Sequence, residues 1–63
     1  MKGCDYMKWY QFRQTNDFEL ADIVVTVNEN GEEVEYTSDQ LQRKEVISWR
    51  WTEYTGVLEA TIK

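Results

Sequence analysis

"CDYMKWYQFR" (residues 4–13) is the stretch on which the fold turns. Read with a period of two, Cys4, Tyr6, Lys8, Tyr10 and Phe12 take one face, and Asp5, Met7, Trp9, Gln11 and Arg13 take the other. A strand that covers one side of a core alternates apolar with polar. Here large apolar side chains fall on both sides, and each face needs a cover. After a turn at "QTND" (residues 14–17), a second strand from about residue 18 begins in the same way. Phe18, Leu20 and Val24 lie on one side of it, Ala21, Ile23 and Val25 on the other. Two adjacent extended segments, 4–13 and 18–27, both apolar on two sides, predict a sharply coiled or bulged pair shared between two layers. That is how a small antiparallel sheet curls into a barrel.

Working outward, "ADIVVTVNENGEEVEYTS" (residues 21–38) reads as a hairpin. Ile23, Val25 and Val27 alternate toward one face, and Val34 and Tyr36 do so beyond the turn. Asn30-Gly31 suits a two-residue type I′ turn, in which both central residues have positive φ. That register pairs Val27 with Val34 and Val25 with Tyr36. A four-residue loop, 28–31, shifts the partners and keeps the same faces together. A three-residue loop sets Val opposite Glu and is disfavoured. The outer face carries Asp22, Thr26, Glu33 and Glu35 and is expected to be wet.

"YTSDQLQRKE" (residues 36–45) breaks the β pattern. Thr37-x-x-Gln40 forms a capping box, in which the Thr hydroxyl accepts the N3 amide and the Gln side chain reaches back to the cap. Asp39 near the start and Arg43 and Lys44 near the end suit the helix dipole. Leu41 is the sole strong apolar anchor, so two turns at most are expected.

"VISWRWTEYTGVLEATIK" (residues 46–63) is a second hairpin. Ile47, Trp49 and Trp51 share a face, as do Leu58, Ala60 and Ile62. A four-residue loop, 53–56, with Gly56 left-handed, pairs Trp51 with Leu58 and Trp49 with Ala60. Arg50 then faces Glu59 and Ser48 faces Thr61 on the solvent side.

The predicted fold is all-β: a five-stranded antiparallel small barrel or strongly coiled sheet, in the order β-β-β-α-β-β, with one short helix. This element order resembles the connectivity of the OB-fold, whose helix lies between strands three and four, while the length is nearer the SH3-like barrels. The resemblance covers element order alone, with no signature motif for either.

Sixty-three residues make one domain, 1–63. A chain this short hides only about 60% of its unfolded surface. With a single cysteine and no zinc-ligand set, stability falls to three Trp, four Tyr, two Phe and the aliphatic residues. A buried Trp or Phe contributes up to ~3 kcal/mol, so the loss of one is serious. The chain starts at Met1 and its last strand pattern runs to Lys63, which reads as a whole small protein. Cys4 is expected to be an ordinary, partly buried cysteine, and a lone cysteine suits a reducing compartment. No apolar run precedes "MKGC" as a signal peptide would, and none approaches the ~20 residues that span a bilayer. Cytoplasmic residence is the expectation.

Catalytic, cofactor and metal signals are absent. There is no His, the commonest general base and metal ligand. No Gly-rich phosphate loop, G-x-S-x-G or C-x-x-C occurs. Glu33 and Glu35 share a strand face as an acid/base pair does, yet no apolar wall is implied to raise a pKa, and a solvated face is the simpler reading. "NENGEE" has Asn28, Asn30 and Gly31 of a calcium loop, but Thr26 stands where its first Asp belongs and no Glu closes it.

The net charge of −5 and seven scattered bases disfavour nucleic acid and anionic membranes. In "SWRW" Arg50 points away from Trp49 and Trp51, so a core role is expected there. Tyr6, Lys8, Tyr10 and Phe12 would put three aromatics and a cation on one face, the arrangement on which single-stranded nucleic acid stacks. Three readings therefore cover the second face of residues 4–13. The strand bends so that both faces serve one core; another protein or a second copy covers it; or nucleic acid does. The expectation is a non-catalytic protein-binding or modulator protein, with a single-stranded nucleic-acid module as the alternative. In size and acidity it is similar to accessory factors of phages and mobile elements. The partner-binding candidates are Tyr6, Lys8, Trp9, Tyr10 and Phe12 of the first strand, with Asp22, Glu33 and Glu35 of the acidic face.

Overall fold

The computed structural model describes residues 6–63. Cys4 and the first residues of the expected opening strand lie outside them. Among the described residues the chain builds four strands and three short helices: β1 (Met7–Lys8), α1 (Trp9–Phe12), α2 (Asn16–Leu20), β2 (Ile23–Val27), α3 (Ser38–Gln42), β3 (Glu45–Trp51) and β4 (Val57–Ile62). The strands form one open sheet in the order β1-β3-β4-β2. It is a small sheet-rich domain, as expected, but it has four strands and does not close into a barrel.

The C-terminal hairpin matches its sequence reading. Trp51 pairs with Leu58, Arg50 with Glu59, Trp49 with Ala60 and Ser48 with Thr61. The Thr52 N–H donates to the Val57 carbonyl at 3.0 Å, which closes the loop over residues 53–56. Gly56 takes the left-handed conformation, φ 79°. A β-bulge then shifts the register between Val46 and Ser48, so that Val46 and not Ile47 faces Ile62. The expected Ile47–Trp49–Trp51 face therefore gives its inner position to Val46, which is buried, while Ile47 stays half-buried. Along β4 the alternation is strict: Leu58, Ala60 and Ile62 are buried, and Val57, Glu59 and Thr61 are half-exposed.

The two-sided aromatic segment is not a long strand. It pairs with β3 only through Met7–Val46 and Lys8–Glu45, then coils into α1 and α2. The reason lies in spacing. Trp9 and Phe12 stand three apart, so one helical turn sets both on the same side, whereas a strand would split them. Phe12 is 0% exposed. Its ring centroid lies 5.3 Å from Trp9, 5.3 Å from Phe18 and 5.1 Å from Trp49. Local bonds hold the turns: Lys8 N–H donates to Gln11 Oε1 at 2.9 Å. Thr15 caps α2, its hydroxyl accepting from Phe18 N–H at 3.2 Å and donating to the Phe12 carbonyl at 2.7 Å. Asp17 and Glu19 fall in the first turn of α2, where negative charge complements the helix dipole. The same cluster is tied to the sheet by the Trp49 indole N–H, which donates to Asp17 Oδ2 at 2.9 Å.

The first two segments do not pair with each other either. β2 runs parallel to β4, with Ile23 beside Val57 and Val27 beside Thr61. Asp22 and Ile23 N–H both donate to the Gly56 carbonyl, at 2.8 and 3.0 Å. A Cβ on Gly56 would run into the Asp22 carboxylate. The turn of one hairpin thus seats the start of a distant strand, and the positive φ at that turn favours glycine.

The central hairpin forms in part. Its contact with β2 is an isolated antiparallel bridge, Val27 to Glu33, continued by Val34 N–H to the Thr26 carbonyl at 3.0 Å. This is the Val-opposite-Glu register that the sequence disfavours. Asn28 imposes it: its Oδ1 accepts the N–H groups of Asn30 and Glu32, each at 2.9 Å, and so sets a loop longer than two residues. Gly31 has φ 86° and among the described residues no non-glycine residue has positive φ, so a type I′ turn, which needs both central residues there, does not form. Beyond Val34 the chain leaves the sheet. Tyr36 packs against the core, and Thr37 caps α3 through the expected box, with Gln40 N–H to Thr37 Oγ1 at 3.2 Å and Thr37 N–H to Gln40 Oε1 at 2.9 Å.

Candidate functional site

The helices cover one face of the sheet, and among the described residues the other is open around Val25, Val57 and Glu59, while Val27 at the far end of β2 is buried. On the covered face Val24, Trp49, Leu58, Ala60 and Ile62 meet Phe12, Phe18 and Leu41. On the open face Val25, Arg50, Val57 and Glu59 line a groove of about 560 Å³. At the hairpin end the groove is bounded by Trp51, Tyr54 and Glu53, and at the β2 side by Glu33. Arg50 Nε donates to Glu59 Oε1 at 3.0 Å across the hairpin, so the groove's base is already paired.

A second hollow, about 430 Å³, opens beside β2 where the returning chain departs. Val24, Val25 and Thr26 form one wall, Glu33, Val34 and Glu35 the other. The two hollows share Val25 and Glu33. Their linings hold the acids Glu33, Glu35, Glu53 and Glu59 and one base, Arg50. Tyr54, 67% exposed, stands among these acids, and Ile23, 56% exposed, lies beside the groove's Val57 in the β2–β4 ladder. Lone exposed apolar residues are ordinary, but a contiguous set rimmed by charge marks an interaction surface. Three lysines are engaged elsewhere. Lys8 Nζ lies 3.6 Å from Glu45, Lys44 stands over the Tyr36 ring and Lys63 over the Tyr6 ring.

The structure divides the residues singled out from the sequence. Glu33 and Glu35 are exposed and line the cleft beside β2, and Asp22 is exposed at the start of that strand. Tyr6, Lys8, Tyr10 and Phe12 do not form one face. Tyr6 is half-buried under Lys63, Lys8 pairs with Glu45, and Phe12 is sealed in the core. Tyr10, 62% exposed, stands with the half-buried Trp9 at a depression of about 320 Å³ that also takes in Arg13, Ser38 and Gln42. That depression lies on the helical side, across the sheet from the acidic groove. Sequence reasoning missed Ile23, Trp51 and Tyr54 as surface groups. Trp51 ends β3 and Tyr54 lies in the turn that follows it, where a strand end offers little cover, and that position was the signal available.

Among the described residues no group of three or more His, Cys, Asp or Glu side chains converges as a metal site. No helix among them is long and apolar enough to cross a membrane. Comparison with protein-family models, with curated proteins and with solved structures finds no match.

Proposed function

We propose that this is a non-catalytic domain that binds another protein, and that it does so through the open, acidic side of the sheet around β2. The observation that carries the reading is the joined pair of hollows at Val25 and Glu33, where exposed Tyr54 stands with the exposed acids Glu33, Glu35 and Glu53, and exposed Ile23 lies beside the groove's Val57. Apolar and aromatic groups supply contact area, and a rim of one charge sign supplies orientation and selectivity. The similarity in size and acidity to phage and mobile-element accessory factors belongs to the same proposal and adds no residue to it.

A second reading, single-stranded nucleic acid, is supported by Tyr10 beside Arg13 and Trp9, an exposed ring next to a cation. One experiment separates them. The protein is immobilised and offered an extract of its native host, as wild type, as Tyr10→Ser and as the double variant Glu33→Lys with Glu35→Lys. A protein retained by wild type and by Tyr10→Ser but lost from the double variant supports the open face. Loss with Tyr10→Ser alone, or binding of single-stranded oligonucleotides that weakens along a salt series, overturns it in favour of the helical side.

A further inference from the structure

We infer that the outer edge of β2 at Val24 takes up an extended, lysine- or arginine-bearing segment of the partner protein as an added strand. This rests on the preceding reading of the open side as the partner surface and names the partner's chemistry there.

The argument begins with backbone groups. Ile23 N–H donates to the Gly56 carbonyl, so β2 turns the polar groups of Ile23, and by ladder alternation those of Val25 and Val27, toward β4. Val24 and Thr26 turn theirs outward. The Thr26 carbonyl accepts from Val34 N–H, and the Thr26 hydroxyl donates to the Val34 carbonyl at 2.6 Å. There the returning chain stops pairing. Among the described residues the outward N–H and C=O of Val24 find no backbone partner. They open into the cleft walled by Glu33, Val34 and Glu35. A free donor and acceptor on an edge strand are what an incoming strand pairs with.

Charge selects the occupant. Asp22, Glu33 and Glu35 are exposed around this edge. Two copies of this chain pairing antiparallel at Val24 would bring these acids toward their own counterparts, and like charges across a strand pair are destabilising. The acids that keep identical copies apart attract a cationic strand. Its alternate residues would then lie beside Ile23 and Val25, which face the open side and offer apolar contact. A basic segment with apolar residues at every second position satisfies both requirements.

The test uses the isotopically labelled full chain and three short peptides: alternating lysine and valine, alternating glutamate and valine, and the lysine–valine peptide N-methylated along its central residues. Amide shifts are followed by NMR at low salt. Expected are shifts centred on Val24, Val25 and Glu35 with the lysine–valine peptide alone, slowed exchange of the Val24 amide, and weakening as salt is added. The double variant Glu33→Gln with Glu35→Gln is expected to bind about five-fold more weakly, as two exposed ion pairs imply. Equal binding of the N-methylated peptide overturns strand addition, and equal binding of the glutamate–valine peptide overturns the charge selection. No binding of the lysine–valine peptide, while the host protein is still retained through Glu33 and Glu35, overturns this inference and leaves the open-face reading standing. Shifts centred on Trp9 and Tyr10 overturn both.

Discussion

The C-terminal hairpin and the N-terminal aromatic segment both carry large rings, three in residues 46–63 and five in residues 6–20, yet one is a strand pair and the other two turns of helix. In β4, and in β3 beyond the bulge at Ile47, apolar residues alternate, and the pairs next to the turn meet a few positions away in sequence, so local pairing and burial favour the same structure. In residues 6–20 the apolar residues follow no strict alternation. Phe12 must reach Trp49, far along the chain, and only tertiary packing can reward the turn that takes it there. Apolar groups on both faces of an apparent strand are therefore a warning that the period is wrong, not only that the sheet curls.

The largest expected effect breaks this comparison at its centre. Phe12→Ala removes a fully buried ring touched by three others and is expected to cost about 3–5 kcal/mol, enough to unfold a domain of this size in a urea titration. Trp51→Ala, in the regular hairpin but partly exposed, is expected to leave it folded. Equal losses would mean that the two regions are held alike.

Next is Gly56→Ala. The positive φ and the approach of Asp22 are expected to cost about 2 kcal/mol. The expected signature beyond stability is faster amide exchange at Ile23, since the Gly56 carbonyl seats that end of β2. A smaller effect, about 1 kcal/mol, is expected for Thr15→Ala from loss of the α2 cap. Near-UV circular dichroism should register it through the nearby rings, whereas Thr37→Ala, at the α3 cap, should leave that signal in place. The smallest effect belongs to the hairpin's outer surface. Arg50→Ala breaks an ion pair whose Arg side chain is largely exposed, and a change under about 1 kcal/mol that shrinks further in salt is expected.

These contrasts show what the residues disclose unaided. The register from Trp51–Leu58 to Ser48–Thr61, the glycine-ended turn and the Thr37–Gln40 box were legible because each is decided by neighbours in the chain. The bulge at Ile47 was not, because the choice of Val46 as the inward residue depends on what lies across the core. Helices α1 and α2 left faint marks: Trp9 and Phe12 three apart, and Thr15 followed by Asp17 and Glu19 as a helix start. Each is too short to show an amphipathic period or to stand without packing. The parallel pairing of β2 with β4 left no local mark, since its partners meet only once the chain is folded. On the functional side, alternation marked Glu33 and Glu35 as exposed, which they are, but set them with Asp22 and Thr26, whereas the Val27–Glu33 bridge puts Glu33 on the side of Val27. The cleft beside Glu33 and Glu35 arises where Tyr36 turns toward the core, a tertiary event that also left the outward backbone groups of Val24 without a backbone partner among the described residues.

The account stands on residues 9–20 being helical turns that close one face of the sheet with Phe12 and leave the other open. The most direct measurement is an NMR assignment with carbon-13 Cα shifts and through-space contacts over residues 6–27. Downfield Cα shifts at Trp9–Phe12 and Asn16–Leu20, with contacts from the Phe12 ring to Trp49 and Leu58, are the predicted result. Upfield shifts running unbroken through residue 13, with cross-strand contacts from that segment to residues 18–27, would restore the closed barrel and remove the open face.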